Sequence, residues 1–152
     1  MGNLGCGCPG SMARVIEREE TTTNTAQGTV QSELRQWPVQ LHLVPPTAPY
    51  FQNADILVAA DCVAFAMGDM HRQLLKGKAL AIACPKLDDS GTYVEKLAQI
   101  FRTGNVKSVT VAIMEVPCCR GLDVMVRQAL AQSGKEIALE TVVIGVNGER
   151  RN

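Results

Sequence analysis

An excess of charge of one sign, long apolar runs and the common short catalytic motifs are all missing from this chain, and each absence removes a class of function. The 15 basic side chains are matched by 15 acidic ones, and no Lys/Arg block stands out. The electrostatic footprint of a nucleic-acid binder is therefore lacking. No apolar run approaches the roughly 18–20 residues that span a bilayer, so no membrane partner is expected. No G-x-G-x-x-G and no P-loop follows a predicted strand, which argues against a bound dinucleotide or nucleoside triphosphate. A G-x-S-x-G elbow is absent too. So is C-x2-C, leaving no support for a zinc ribbon or a thioredoxin-type dithiol. The opening Met1-Gly2-Asn3-Leu4-Gly5-Cys6 has neither the charged nor the apolar segment of a secretory signal. Its sixth residue is Cys where the myristoylation pattern takes Ser or Thr. The expectation is a cytoplasmic protein, in which thiols stay reduced.

What is there is an alternation of strands and helices. Its 152 residues suit one domain with a real core. Residues 1–33 read as an amino-terminal Cys-Gly-Cys-Pro-Gly-Ser loop, a short helix over Met12 to Arg18 capped by Ser11, and a polar, Thr-rich linker. Residues 34–148 read as an α/β domain and 149–152 as a tail. Within the domain, strands are predicted at Val39–Val44, Asp55–Ala60, Leu80–Ala83, Lys107–Met114 and Ile137–Val146. Helices are predicted at Val63–Leu75, Tyr93–Arg102 and Leu122–Gln132, stopped by Gly77, Gly104 and Gly134. The strand runs are almost continuously apolar, as in a parallel sheet buried on both faces. The expected architecture is an open, mostly parallel five-stranded sheet with helices on both faces.

Six cysteines in such a chain point to metal or redox chemistry rather than to disulfides. Cys62, Cys84 and the pair Cys118-Cys119 each follow a predicted strand. Open α/β sheets bind ligands at the carboxyl ends of their strands, so thiols distant in sequence are expected to converge on one rim. Cys6 and Cys8 lie in the Gly-rich amino-terminal loop that could fold over it. Thiolates are soft ligands suited to iron–sulfur clusters, zinc or Cu(I). Cubane clusters take four cysteines, here drawn from distant positions rather than from a ferredoxin-type spacing. Cys62, Cys84 and Cys119 are the first ligands, with Cys118, Cys6 or Cys8 supplying the fourth. Neighbouring side chains diverge, so Cys118 and Cys119 on one cubane would be awkward. One of them points away, or the centre is non-cubane, or there are two centres. The competing reading of each cysteine is a small buried hydrophobe.

Other candidates rank lower. His71 reads as a solvated helix residue or an axial group, and His42 as a residue on the less buried face of a strand. Asp61, Asp88 and Asp89 fall on the rim as loop residues, and Glu115 is a strand-end carboxylate or a proton relay. Met67, Met70, Met114 and Met125 are core filler. Arg120 sits at a helix start, where it could pair with an anionic cluster that the helix amides also favour.

The stretch from Leu34 to Phe51, with Trp37-Pro38 and Pro45-Pro46, resembles the carboxyl-terminal region of ferredoxin-like, 4Fe-4S-binding proteins of anaerobic bacteria and archaea. So do Ala60-Asp61-Cys62-Val63-Ala64-Phe65-Ala66, Cys84-Pro85-Lys86-Leu87-Asp88-Asp89 and Met114-Glu115-Val116-Pro117-Cys118-Cys119. The resemblance covers Cys6 to Met12 and nearly all of Leu34 to Gly148. It implies a [4Fe-4S] cluster on this domain. Members typically carry an amino-terminal two-cluster ferredoxin module, which is missing here, and Arg120 stands where the family tends to have Gly. A separate ferredoxin or other redox protein is then the implied partner, and a homo-oligomer is compatible. The Cys-Cys pair has a more distant likeness to the non-cubane cluster domains of heterodisulfide-reductase-type enzymes.

The leading expectation is an iron–sulfur redox protein, an electron-transfer or accessory protein rather than a stand-alone enzyme. The alternatives are a carrier or assembly scaffold for a cluster or metal, and a metal-free thiol redox protein.

Overall fold

The computed structural model describes residues 9–18 and 28–152. Its centre is a four-stranded, all-parallel sheet in the order β4-β3-β5-β6. Here β3 is Asp55–Ala60, β4 is Lys78–Ala83, β5 is Ser108–Met114 and β6 is Ala138–Ile144. A two-stranded ribbon, β1 (Arg14–Val15) against β2 (Gln36–Trp37), lies before it.

The apolar runs explain the order. The central strands β3 and β5 are buried almost throughout, whereas β6 starts with exposed residues alternating with half-buried ones and is an edge strand. Between β3 and β4 stand the short helix α1 (Val63–Ala66) and a single π-helical turn at His71–Leu75. Helix α2 (Tyr93–Thr103) joins β4 to β5, and α3 (Arg120–Ser133) joins β5 to β6. Helix α2 buries Tyr93, Leu97, Ala98, Ile100 and Phe101, and α3 buries Leu122, Val126, Ala129 and Ser133. Both sets follow the i, i+3/i+4 stripe of a helix laid on a sheet.

Helices α2 and α3 pack on each other, so they share one face. Parallel crossovers are right-handed, and the β3-to-β4 connection steps across the sheet in the opposite direction to the other two. Helix α1 and the π turn therefore cover the other face. The winding reverses between β3 and β5, and at that reversal the connections leaving the two strands splay to opposite faces.

Three expectations needed correction. The sheet has four strands, not five: Val39–Val44 contributes one parallel bridge, Gln40 to Ile82, before Leu43 and Val44 turn back onto the Gln40 carbonyl. Met12–Arg18 is not a helix. Pro9–Ser11 makes a tight turn, Arg14–Val15 pairs with Gln36–Trp37, and Trp37 Nε1 donates to the Gly10 carbonyl at 2.6 Å. A seven-residue helix is marginal alone, and a distant segment offers it better partners. Val63–Leu75 is not one helix either, because Met67 turns extended (φ −98°, ψ 104°) just before Gly68. Residues 149–151 of the tail fold antiparallel onto the end of β6, with Arg151 N–H donating to Val143 O at 2.8 Å. The linker expected at residues 19–32 falls largely outside the described residues.

Both edges of the sheet are finished by carboxamides. Buried Gln36 donates from Nε2 to Leu80 O at 2.7 Å and accepts from Leu80 N–H at 2.7 Å. Asn152 accepts from Val143 N–H at 3.1 Å and donates to Thr141 O at 2.7 Å on β6.

Candidate functional site

Three crossovers leave the carboxyl end of the sheet through a cysteine. Cys62 follows β3 by two residues and is the residue before α1, Cys84 follows β4 directly, and Cys118-Cys119 forms the turn into α3. Together they line one cavity of about 240 Å³ with Ala60, Asp61, Pro85, Met114, Val116 and Val146. The cavity sits at the reversal between β3 and β5, the position where open α/β sheets take ligands. The expected convergence of Cys62, Cys84, Cys118 and Cys119 is what the fold produces. Cys6 and Cys8 lie outside the described residues.

Local contacts fix the turns that carry Cys84 and Cys119. The Asp88 carboxylate accepts the Cys84 N–H at 3.0 Å and the Tyr93 hydroxyl at 2.6 Å, while Asp88 N–H returns to Cys84 O at 2.9 Å. This closed turn ties Cys84 to the start of α2. On the far side Pro85 rests over Gly121, where a Cβ would lie 3.4 Å from the proline ring. The Cys119 N–H bonds Val116 O at 3.2 Å, winding the Pro117–Cys119 turn into α3. The loop after β6 closes the ring. Its Val146 N–H donates to Glu115 Oε2 at 2.9 Å, and Arg151 approaches the same oxygen at 3.4 Å. Gly148 has φ 90° and presses on the Ala66 carbonyl at the end of α1. That position requires glycine twice over, because a side chain would be strained and would collide.

The thiols differ in exposure. Cys62 and Cys118 are exposed, Cys84 is half-buried and Cys119 is buried. Burial pushes the Cys119 thiol up, a backbone hydrogen bond at Met114 opposes this, and nearby Cys118 and Cys62 add to the rise. One carboxylate shares the cavity. Burial, and then the charge of Asp88, raise Asp61 above the usual carboxylate range, and its Oδ1 is enclosed without a hydrogen-bond partner. A buried oxygen left unpaired costs about 1–3 kcal/mol, so this one is a standing expense of the site.

The donor set fits a thiophilic group. Soft sulfur donors from three connections face an apolar cavity several times the ~30 Å³ of a water molecule, beside the amino-terminal turn of the 14-residue helix α3. Among the described residues no three His, Cys, Asp or Glu side chains stand close enough to grip a single metal ion. A cluster several atoms across takes its thiolates further apart than one ion does.

The remaining candidates separate clearly. His71 is away from the cavity, its Nδ1 accepting the Glu33 N–H at 3.0 Å. His42 is exposed on the turn after Gln40 and meets Tyr93 edge-on. With Asp88, Asp89 and Gln40 these two rings border a separate, shallow hollow of about 290 Å³. Asp89 turns back to the Gly91 N–H at 3.5 Å. Glu115 braces the Val146 loop. Met67, Met70 and Met114 are buried, Met125 packs against the core, and Met114 also lines the cavity. Arg120 is the exposed first residue of α3. Sequence reading missed Pro85, Val116 and Val146 as lining residues. Val146 had no local signal, since its position depends on the Glu115 bond across the sheet.

No helix of the described residues is long and apolar enough to cross a membrane, and no solved structure matches the chain. An uncharacterized protein of Archaeoglobus fulgidus is 36% identical over 116 residues, covering 76% of this chain and 81% of that protein. The model of the Rossmann-like domain family matches residues 48–151. That span takes in the whole parallel sheet, its three crossovers and every described cysteine, and on this match the chain belongs to the Rossmann-like domain family.

Proposed function

We propose that this chain is an iron–sulfur redox protein that holds a cluster, a [4Fe-4S] cubane first, in the cavity at the carboxyl end of the sheet. One observation carries the reading: three separate crossovers each deliver cysteine to one apolar cavity at the reversal of the winding. A structural role for buried thiols does not require that coincidence, and Cys62 and Cys118 are not buried.

Cys62, Cys84 and Cys119 are the first ligands, and Cys118, Cys6 or Cys8 is the fourth. A bound cluster supplies a one-electron redox centre. The chain's own residues set its surroundings. Met114, Val116 and Val146 give the cavity apolar walls, the Asp88 turn fixes Cys84, and the start of α3 favours negative charge. A ferredoxin or similar redox protein would be the electron partner. The family resemblance of the cysteine-bearing segments points the same way.

A second reading, transient carriage of a cluster or metal, is favoured by the exposure of two of the four thiols, through which an acceptor could exchange ligands. Iron and acid-labile sulfide, measured with a visible spectrum on protein purified without oxygen, decide between these readings. About four of each per chain, retained through desalting against a chelator, supports the resident cluster. Loss on desalting supports carriage. Zinc, or free thiols alone, refutes both cluster readings. Cys62→Ala should abolish the bound iron, and unchanged iron in that variant would refute the ligand assignment.

A further inference from the structure

One carboxylate oxygen links the shallow hollow to the thiol cavity. Asp88 Oδ2 accepts the Cys84 N–H at 3.0 Å and the Tyr93 hydroxyl at 2.6 Å. Asp88 and Tyr93 border the hollow, while Cys84 lines the cavity. The other oxygen of Asp88 has no hydrogen bond among the described residues. Tyr93 is 1% exposed, so core packing delivers its hydroxyl to Asp88 rather than a mobile surface side chain.

The turn itself is closed by backbone, through Asp88 N–H to Cys84 O at 2.9 Å. The carboxylate adds something a turn does not require, a charge beside a ligand, since only Cα and Cβ separate the Cys84 nitrogen from its sulfur. It also occupies the Cys84 N–H, which is then not free to be donated to a sulfur. Nearby charge and hydrogen bonds to the sulfurs are two of the levers on a cluster's potential, and carboxylates behind ligating side chains are a recurrent means of holding and tuning them. Here both levers act in one direction, because each disfavours the more negative, reduced state. The charge of Asp88 does reach the cavity: after burial, it is the second cause of the raised Asp61 carboxyl. Tyr93 works against it, donating into the same oxygen and drawing off part of its charge.

We propose that Asp88 is a positioning residue for the Cys84 thiolate that holds down the potential of the bound cluster, and that Tyr93 sets how much of the Asp88 charge is felt there. The proposal rests on the cluster reading and adds the residues that govern its potential. A bracing role alone predicts a different pattern. Both bonds go to one oxygen, so Asp88→Asn can keep the brace and replace only the other oxygen, removing the charge. Tyr93→Phe keeps the buried ring and removes only the donor.

The test joins a potentiometric titration of the cluster-loaded chain with dithionite, followed at the visible band, to alkylation of the metal-free chain. Asp88→Asn should raise the midpoint potential and Tyr93→Phe should lower it. In the double variant Tyr93→Phe should add nothing, because it acts through the Asp88 charge. An unchanged potential in Asp88→Asn would overturn the proposal. So would an equal shift from Asp89→Asn, which removes a neighbouring exposed charge that bonds Gly91 and not Cys84. In the metal-free chain, Cys84 is alkylated with anionic iodoacetate and with neutral iodoacetamide. The ratio of the two rates should rise about twofold or more in Asp88→Asn, while the same ratio at Cys118 stays put. The thiolate fraction cancels from that ratio, which leaves the local charge. A flat ratio at Cys84 would overturn the role of Asp88 whether or not a cluster binds. The band recorded before titration judges the cluster reading separately, and if none forms the ratio alone decides for or against Asp88.

Discussion

The two ends of the parallel sheet are built on opposite lines. At the amino end side chains and turns tie the strand starts together, although the buried Tyr50 hydroxyl ahead of β3 has no partner. Ser108 Oγ donates to Asp55 Oδ1 at 2.6 Å between β5 and β3, and Asn105 Nδ2 donates to Asn53 Oδ1 at 2.8 Å. The turns that carry them are cross-linked by Asn53 N–H to Gly104 O at 2.7 Å and Lys107 N–H to Ala54 O at 2.8 Å. Both asparagines sit at positive φ, 54° and 48°, a conformation Asn tolerates better than most residues. At the carboxyl end, by contrast, a carboxylate oxygen is buried unpaired, large apolar side chains face outward, and thiols stand at the surface. One end spends its residues on holding the strands together. The other keeps groups that are unfavourable in the isolated chain, which is how binding sites differ from the scaffold under them.

Substitutions at either end should therefore separate stability from binding. The largest loss of stability belongs to neither rim: Phe101→Ala, at a residue of α2 with no exposed surface, should cost about 3–5 kcal/mol in denaturant unfolding. At the closed end, Ser108→Ala should cost about 1–2 kcal/mol by removing a hydrogen bond to a carboxylate. It should leave thiol reactivity at the open end unchanged, and altered alkylation in that variant would mean that the two ends are coupled. At the open end, Asp61→Asn should raise the melting temperature at neutral pH. The sign follows from linkage: a folded-state pKa above the unfolded one gives stability that is present at low pH and lost as pH climbs through the folded value. The gain of the variant should accordingly shrink as the medium is acidified below the ordinary aspartate range, and a constant gain would assign it to packing instead. The smallest effect is a difference in rate among the thiols of the metal-free chain. Iodoacetamide at neutral pH should label Cys62 and Cys118 before Cys119, whose burial both shields it and disfavours its thiolate. Peptide mass spectrometry reads the order.

The middle of the molecule was legible because its signals are local. Asp55–Ala60 is a strand from first residue to last as its apolar run predicts, and helices α2 and α3 end at Thr103 and Ser133, next to the glycines that stop them. The placing of Cys62, Cys84, Cys118 and Cys119 on one rim followed from strand ends and the crossover rule, with no need for strand order. What escaped depended on partners far away in sequence. Val39–Val44 has the composition of a strand, but only Val39 and Leu41 find backbone partners on Ile82 before the chain turns. Arg14 and Val15 owe their extended form to Gln36 and Trp37, more than 20 residues later. The division of labour among the rim acids was equally hidden. Asp88 and Asp61 look alike in sequence, yet one is held by two hydrogen bonds and the other encloses an unpaired oxygen.

The carboxamides of Gln36 and Asn152 have a consequence for how this molecule meets others. A sheet recruits foreign strands through unsatisfied peptide groups on its flanks. Here the flank of β4 is occupied at Leu80 by the Gln36 amide and at Ile82 by Val39 and Leu41. That of β6 is occupied from Thr141 to Gly145 by the Asn152 amide and the returning tail. Each amide imitates a peptide bond but carries no chain onward, so it satisfies the strand without extending the ladder. Lateral growth of the sheet is thereby discouraged on both sides, and association is steered to the one direction in which the molecule still has something to offer, along the strands and out over the thiols.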